Sequence, residues 1–265
     1  MPQPIERIND KVLPFVDDLG RRQRWWRSEA QKEGVRPAEL AKDVDLRSAK
    51  ELREALREFF PEDSIMGEEL PPENIGQPRT WVLDPLDGSR NYAHGLALWG
   101  ISVALLIEGR PVAGVYHLPD VRETFIAVRG QGARFDDEEL RTPTWDGLRG
   151  GDMVTVGGWD VPESLRKASL RRLGCAGAEL CYLAAGRLAA VHLSSARLWD
   201  VAAAGLIAQE AGAQVSFVDS AGADSIWPWD IEQPKSRRTL VAWAPGVEDP
   251  RPGAAQRVPG GTPSV

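Results

Sequence analysis

The chain has 265 residues, of which 42% are hydrophobic and 27% charged, and its formal net charge is −7. A chain of this length builds a sizeable core without disulfides or structural metals, and its acidic balance argues against nucleic acid as a partner. Because no stretch has the apolar length of a membrane span and the N-terminus lacks the pattern of a secretory signal, we expect a cytoplasmic protein with no membrane partner.

The first half of the chain predicts two helices followed by strands. Apolar residues at helical spacing predict a helix over residues 5–29, and residues 45–60 predict a second helix with Asp45 as its N-cap. The runs "SIMGEE" and "RTWVLD" predict short buried strands that each end in carboxylates. Three β-rich runs within residues 99–135, separated by turn-forming residues, then predict an antiparallel meander.

A polar, glycine-containing connection over residues 136–152 predicts a boundary between two subdomains. We therefore divide the chain into an N-terminal α+β subdomain (1–145), a C-terminal α/β subdomain (146–245) and a disordered Pro/Gly-rich tail (246–265). Within the second subdomain, the sequence predicts helices at "PESLRKASLRRL", "GCAGAELCYLAAG" and "LWDVAAAGLIAQEAGA", and strands at "MVTVGG" and "QVSFV". This irregular alternation favours a layered α/β or α+β fold.

The residues that could hold a metal are carboxylates. Two cysteines six residues apart on one predicted helix, and three histidines without ligand spacing, argue against a zinc site. Carboxylates instead recur at the ends of apolar elements: Asp45, Glu68, Glu69, Asp84, Asp87 and Asp200. Each has a local explanation, such as a turn at "DPLDGS" or an N-cap at Asp200. If they converge on one cleft, their repulsion calls for cations, and oxygen ligands favour Mg²⁺ or Mn²⁺.

Three motifs together resemble a known family. The segments "MGEE", "LDPLDGSRNYAHG" and "LWDVAAAGLIAQEAGA", in this order and at these separations, are similar to those of the inositol monophosphatase-like, magnesium-dependent, lithium-sensitive phosphatases. The resemblance covers nearly all of residues 5–245. It implies the layered α-β-α-β sandwich of the inositol monophosphatase and fructose-1,6-bisphosphatase type, and a homodimer.

The resemblance also assigns metal ligands. It implies that Glu68, Asp84 and the backbone carbonyl of Leu86 hold a first Mg²⁺. Asp84, Asp87 and Asp200 would hold a second ion, and a weaker third ion would lie near Glu68. A bend at Leu86 and the proline before it would point these oxygens at one pair of ions.

Catalytic and substrate roles follow from the same resemblance. Gly88 and Ser89 would offer backbone N–H groups to a phosphate at a helix start. Metal-activated water would attack phosphorus in line without a covalent phosphoenzyme, and Ser89 would orient or deprotonate it with help from Asp45 or Glu68. The implied substrate contacts are Asp87, Gly174, Cys175, Ala176 and Arg197.

Three positions indicate how this chain differs from the family or which substrate it prefers. Lys42 stands where relatives carry threonine, and we expect it to point to solvent. Leu193 replaces the glutamate that receives inositol hydroxyls, so myo-inositol phosphate is not a safe substrate. Arg197 favours a second anionic group, as in a sugar bisphosphate or a nucleotide 3′,5′-bisphosphate, with a plain surface arginine as the alternative.

The sequence therefore predicts a Mg²⁺-dependent phosphomonoesterase that hydrolyses a small polyol, sugar or nucleotide phosphate, with Mn²⁺ as a possible substitute ion. The alternatives are a 3′(2′),5′-bisphosphate nucleotidase or fructose-bisphosphatase-like activity, or a non-catalytic partner-binding protein on the same fold. The complete carboxylate set argues against a dead enzyme, because unpaired buried carboxylates cost stability when no ion is needed.

Overall fold

Two helices that pack on each other cover one face of the first sheet. A computed structural model describes residues 8–158, 161–218, 227, 229 and 233–251. Helix α1 (Leu13–Lys32) continues from a π-helical turn (Ile8–Val12), and α2 spans Pro37–Phe59. Apolar residues at helical spacing, such as Leu52 and Leu56 on α2, are buried against the sheet.

The predicted N-cap at Asp45 is wrong. Helix α2 begins at Pro37, whose fixed backbone angle suits the first helical position, and it runs through Asp45 without interruption. Asp45 therefore lies in the interior of the helix, and its carboxylate is free for another role.

The first sheet is a meander with one parallel strand at its edge. Its strand order within the described residues is β1-β2-β3-β4-β5-β6-β7, and β1 pairs in parallel with β2 while the other neighbours are antiparallel. The strands are β1 (Ser64–Gly67), β2 (Arg79–Asp87), β3 (Gly100–Ile107), β4 (Arg110–Leu118), β5 (Glu123–Val128), β6 (Ala133–Phe135) and β7 (Glu138–Leu140). The predicted strands and meander are confirmed.

The second sheet has the order β11-β12-β10-β8-β9 among the residues that the structure describes. Its strands are β8 (Met153–Val156), β9 (Ser169–Arg171), β10 (Ala190–Ala196), β11 (Gln214–Val218) and β12 (Arg238–Trp243). The helix predicted at "PESLRKASLRRL" is wrong: this segment forms a 3₁₀ turn (Glu163–Leu165) and then β9, which pairs in parallel with β8. Sheet pairing overrides the weak local helix preference there.

Two helices separate the sheets in the described part of the chain. They are α4 (Ala176–Ala184) and α5 (Leu198–Glu210), after a short α3 (Ser89–Ala93) that follows β2. Helix α5 lies so close to β4 that a Cβ at Gly114 would stand 2.9 Å from the Cα of Ala203. The layers are therefore helices α1 and α2, first sheet, helices α4 and α5, second sheet, which confirms the layered α+β sandwich.

The predicted subdomain boundary, and the first part of the predicted tail, lie within the residues that the structure describes. The Trp145 N–H donates to the Pro245 carbonyl at 2.7 Å, so the connection between the sheets contacts the end of the second one. Val247 is buried, and the Arg251 guanidinium bonds Ser216 at 3.1 Å. Residues 252–265 of the predicted tail lie outside the described residues. Of the helices described, none is long and apolar enough to cross a membrane.

Candidate active site

Strand β2 ends in a bend that carries two aspartates. Its pairing with β3 is regular as far as Asp84, then shifts register before Asp87. The Leu86 N–H donates to Asp84 Oδ1 at 3.0 Å, and Gln23 Nε2 donates to the Pro85 carbonyl at 2.8 Å. The bend predicted for this segment is therefore present and is held by hydrogen bonds on both sides.

Three carboxylates from different elements converge at this bend. Glu68 follows β1, Asp84 belongs to β2 and Asp200 lies in the first turn of α5. One oxygen of each lies within 4.8 Å of the others, and we call these three residues the carboxylate cluster. Asp200 Oδ2 also accepts the Arg197 N–H at 2.8 Å, so the Asp200 side chain caps the N-terminus of α5 and is at the same time part of the carboxylate cluster.

Burial and mutual repulsion raise the pKa values of this group. Burial raises the pKa of Asp200 to about 7, and burial with the charges of Asp87 and Asp45 raises that of Asp84 well above its ordinary value. Burial and the charges of Glu69 and Glu68 raise the pKa of Asp45 to about 8. Without added positive charge, several of these carboxylates hold protons at neutral pH.

A divalent cation fits this donor set. The buried Oδ1 of Asp45 has no hydrogen-bond partner among the described residues, which is costly for a carboxylate that serves only structure. All the converging atoms are oxygens, the ligand type that hard divalent cations prefer. The site could therefore bind a metal ion, which would offset the repulsion that raises these pKa values.

The Asp87 carboxylate is held by donors from β4 and α4, and its charge also acts on Asp84 and Asp200 of the carboxylate cluster. The Asp87 carboxylate accepts the Tyr116 hydroxyl and the Gly177 N–H, each at 2.7 Å, and the Ala176 N–H at 3.3 Å. The Cys175 thiol lies 3.4 Å from the same carboxylate. Burial raises the pKa of Asp87, and these donors lower it in part. The structure thus joins Asp87 to the segment predicted to contact substrate.

The predicted phosphate-binding turn also lies beside this segment. Gly88 precedes α3 with φ of 78°, and a Cβ there would stand 3.1 Å from Cys175 Sγ. Both the backbone angle and this close contact favour glycine at the position. Ser89 is the first, half-buried residue of α3. Asn91 Nδ2 donates to the carbonyls of Leu98 at 2.7 Å and Leu173 at 2.8 Å, which ties α3 to the loop before α4.

Two residues at the site escaped the sequence analysis. Tyr116 lies in the largely apolar strand β4, and Glu179 is a charged residue inside an apolar helix; both patterns are visible in the sequence. Glu179 Oε1 accepts the N–H groups of Leu173 and Gly174, each at 3.2 Å, and burial raises its pKa to about 7. Glu179 therefore holds the loop that leads to Cys175, while Gly174 itself is exposed.

Arg197 is not a plain surface arginine. Its guanidinium forms an ion pair with Glu68, and the Trp199 Nε1–H donates to the other Glu68 oxygen at 3.1 Å. Lys42 is exposed, as predicted, and Leu193 is buried in β10 opposite Leu240.

Comparison with known proteins identifies the family to which this chain belongs. The inositol monophosphatase family model matches residues 21–244. The inositol-1-monophosphatase SuhB of Mycobacterium tuberculosis is 33% identical over 246 residues, covering 84% of this chain and 80% of that protein. The solved structure of Mycobacterium tuberculosis SuhB matches with a TM-score of 0.72 and 29% identity, covering 93% of this chain and 94% of that one.

Two other relatives carry different names. The Nus factor SuhB of Pasteurella multocida is 34% identical over 188 residues, 65% of this chain and 70% of that protein. The fructose-1,6-bisphosphatase/inositol-1-monophosphatase of Thermotoga maritima is 32% identical over 184 residues, 67% of this chain and 71% of that protein. This chain belongs to the inositol monophosphatase family, and it is a phosphatase.

Proposed function

We propose that this chain is a Mg²⁺-dependent phosphomonoesterase acting on a small polyol, sugar or nucleotide phosphate. The observation that carries this proposal is the convergence of Glu68, Asp84 and Asp200, whose oxygens lie within 4.8 Å of one another. Asp45 is half-buried beside them, and its buried Oδ1 has no hydrogen-bond partner in the described part of the chain, so it adds to the negative charge that an ion would neutralise.

The ligand roles follow the motifs. Glu68, Asp84 and the Leu86 carbonyl hold one ion, and Asp84, Asp87 and Asp200 hold a second, with Mn²⁺ as a substitute for Mg²⁺. To bind the second ion, the Asp87 carboxylate must coordinate it while it also accepts hydrogen bonds from three N–H or O–H donors. When bound, the ions stabilise negative charge on the phosphoryl and leaving groups and lower the pKa of water.

The chain's own groups then position the reaction. The backbone N–H groups of Gly88 and Ser89 bind phosphate oxygens at the start of α3. The Ser89 hydroxyl orients the attacking water, and Asp45 Oδ1 or a Glu68 oxygen accepts its proton. The aspartates of the cluster serve as ligands and not as nucleophiles, so no covalent intermediate forms on the chain.

The substrate pocket favours anions over hydroxyl-rich ligands. The buried Leu193 offers no acceptor to inositol hydroxyls, so a polyol that needs such bonds loses affinity. Arg197 brings a cation to the edge of the carboxylate cluster, where a second anionic group can reach it. We therefore favour a sugar bisphosphate or a nucleotide 3′,5′-bisphosphate over inositol monophosphate.

A second candidate is a partner-binding protein that keeps the fold without catalysis. The observation that favours it is the Pasteurella multocida relative, which is named a Nus factor. Under either function we propose a homodimer, from family membership alone, and a cytoplasmic location, from the N-terminal sequence.

The test is phosphate release from inositol-1-phosphate, fructose-1,6-bisphosphate, histidinol phosphate and adenosine 3′,5′-bisphosphate, with Mg²⁺, with a chelator and with added Li⁺. We expect Mg²⁺-dependent, Li⁺-inhibited release, fastest for a bisphosphate. No release from any compound, together with no effect of Mg²⁺ on thermal stability, would contradict the phosphatase proposal and favour the partner-binding role.

A further inference from the structure

Glu68 already has a partner on each of its oxygens. The Arg197 guanidinium forms an ion pair with Oε1, and the Trp199 indole donates to Oε2 at 3.1 Å. The proposed function assigns this same carboxylate to a metal ion. Each oxygen keeps a free lone pair, but a divalent cation on Oε1 would lie beside the positive guanidinium. The ion and Arg197 therefore compete for this oxygen through charge repulsion, whereas the neutral Trp199 indole adds no positive charge.

The two partners differ in their freedom to move. Trp199 is 1% exposed in the core between the sheets, so its indole is fixed by packing. The Arg197 side chain is 25% exposed, and its flexible stem allows the charged group to reach solvent. Arg197 is therefore the partner that leaves.

The backbone of Arg197 is fixed even though its side chain is not. Arg197 is the N-cap residue of α5, and its N–H donates to Asp200 Oδ2 at 2.8 Å. The guanidinium carbon lies 5.7 Å from the centre of the Trp199 ring, which gives the side chain a resting position beside Glu68. Any movement is then a swing of the side chain at the mouth of the site.

We propose that Arg197 is an exchangeable counter-cation, which holds Glu68 in the metal-free enzyme and moves to a second anionic group of the substrate when an ion takes Glu68. Ion and bis-anionic substrate then bind with positive coupling, because each benefits from breaking the same ion pair. A monophosphate without a second anionic group does not gain from this coupling. This inference rests on the proposed function, and it adds a specificity-determining residue to it.

The opposing view is a static ion pair in which Arg197 only orients Glu68 as a ligand. The two views predict opposite effects of removing the guanidinium. Loss of an orienting group weakens metal binding. Loss of a competing cation strengthens it, because both the competition for Glu68 and the local positive charge disappear.

The experiment measures the Kd for Mn²⁺ by isothermal titration calorimetry in the wild-type protein and in Arg197→Gln. The control is Arg141→Gln, which removes an exposed arginine paired with Glu139 outside the site. We expect Arg197→Gln to bind Mn²⁺ at least about fivefold more tightly than wild type, at the low end of allosteric couplings. Arg141→Gln should match wild type.

A second measurement uses steady-state kinetics with the bisphosphate that the wild-type protein hydrolyses best. Arg197→Gln should raise KM for that bisphosphate while its Mn²⁺ affinity increases, and KM for a monophosphate should stay within a factor of about two. Arg197→Lys keeps the charge and should give an intermediate Mn²⁺ affinity, which preserves the test should the glutamine variant fail to fold.

The possible outcomes distinguish failure of this inference from failure of the proposed phosphatase function. Equal or weaker Mn²⁺ binding in Arg197→Gln, with clear binding in wild type, would overturn the exchange of Arg197 and leave the phosphatase proposal intact. Absence of Mn²⁺ binding in the wild-type protein would overturn the proposed metal site, and the inference would fall with it.

Discussion

At the scale of single residues, Asp87 shows how neighbours fix a carboxylate. Tyr116 contributes a hydrogen bond of 2.7 Å from a hydroxyl buried in β4, and Gly177 contributes one of the same length from the start of α4. Hydrogen bonds to a charged group contribute about 1.5–3 kcal/mol each. We therefore expect Tyr116 to act on the site through Asp87, as a positioning residue.

Tyr116→Phe tests this role because it removes the hydroxyl and keeps the ring. We expect kcat/KM to fall by about 10- to 100-fold, as for loss of other groups that orient metal-site carboxylates. Steady-state kinetics with Mg²⁺ titration measures the effect. Tyr182→Phe is the control, since Tyr182 lies on α4 against Arg187, and it should keep full activity. Full activity in Tyr116→Phe would contradict the positioning role.

At the scale of elements, two glycines let α4 approach the first sheet. A Cβ at Gly177 would stand 2.0 Å from Cε2 of Tyr116, and a Cβ at Gly100 would stand 2.6 Å from its Cζ. The ring of Tyr116 fills the slot that these residues leave between α4 and β3. The same close approach brings the first N–H groups of α4 to Asp87.

Gly177→Ala should therefore destabilise the protein, although alanine favours helix by about 1 kcal/mol. The added methyl group must displace the buried ring, and overpacking of this kind costs about 1–3 kcal/mol. Urea unfolding measures the change. Gly151→Ala is the matched control: a Cβ there meets no atom within 4 Å, so its effect should stay within about 0.5 kcal/mol. A more stable Gly177→Ala variant would refute the tight contact.

At the scale of the whole molecule, the carboxylate cluster and the neighbouring Asp45 link the stability of the fold to pH and to metal binding. The pKa values of Asp45 and Asp200 rise from 3.8 to about 8 and about 7 on folding, so the folded chain binds more protons than the unfolded chain between these values. Stability of the metal-free protein then falls as pH rises from about 4 to about 8. Metal binding requires the ionised carboxylates, so its stabilising effect grows over the same range.

We expect the Tm of the chelator-treated protein to fall between pH 5 and pH 8, and the increase in Tm on adding Mg²⁺ to be larger at pH 8 than at pH 6. Thermal melts followed by circular dichroism measure both. Asp200→Asn should flatten the pH dependence without Mg²⁺, since it removes one of the groups that titrates. A Tm that rises with pH in the metal-free protein would show that other groups dominate.

The sequence predicted those parts of the fold and site that local pattern controls. Strand β2 and helix α5 followed from their apolar runs, whereas the bend at Pro85 and Leu86 was implied by the family resemblance. The helix predicted over residues 162–173 failed because pairing of β9 with β8 decides that segment. Contacts between distant elements, such as Arg197 with Glu68, leave no local signal and required the structure.

The central claim is that the carboxylate cluster binds the ions that make this chain a phosphatase. Its most direct test compares Mg²⁺-dependent phosphate release by the wild-type protein and by Asp84→Asn, which keeps the size of the side chain and removes its charge. The account predicts a loss of at least about a hundredfold, since ions at the reacting phosphate supply several kcal/mol of stabilisation. Full Mg²⁺-dependent activity in Asp84→Asn would contradict the account.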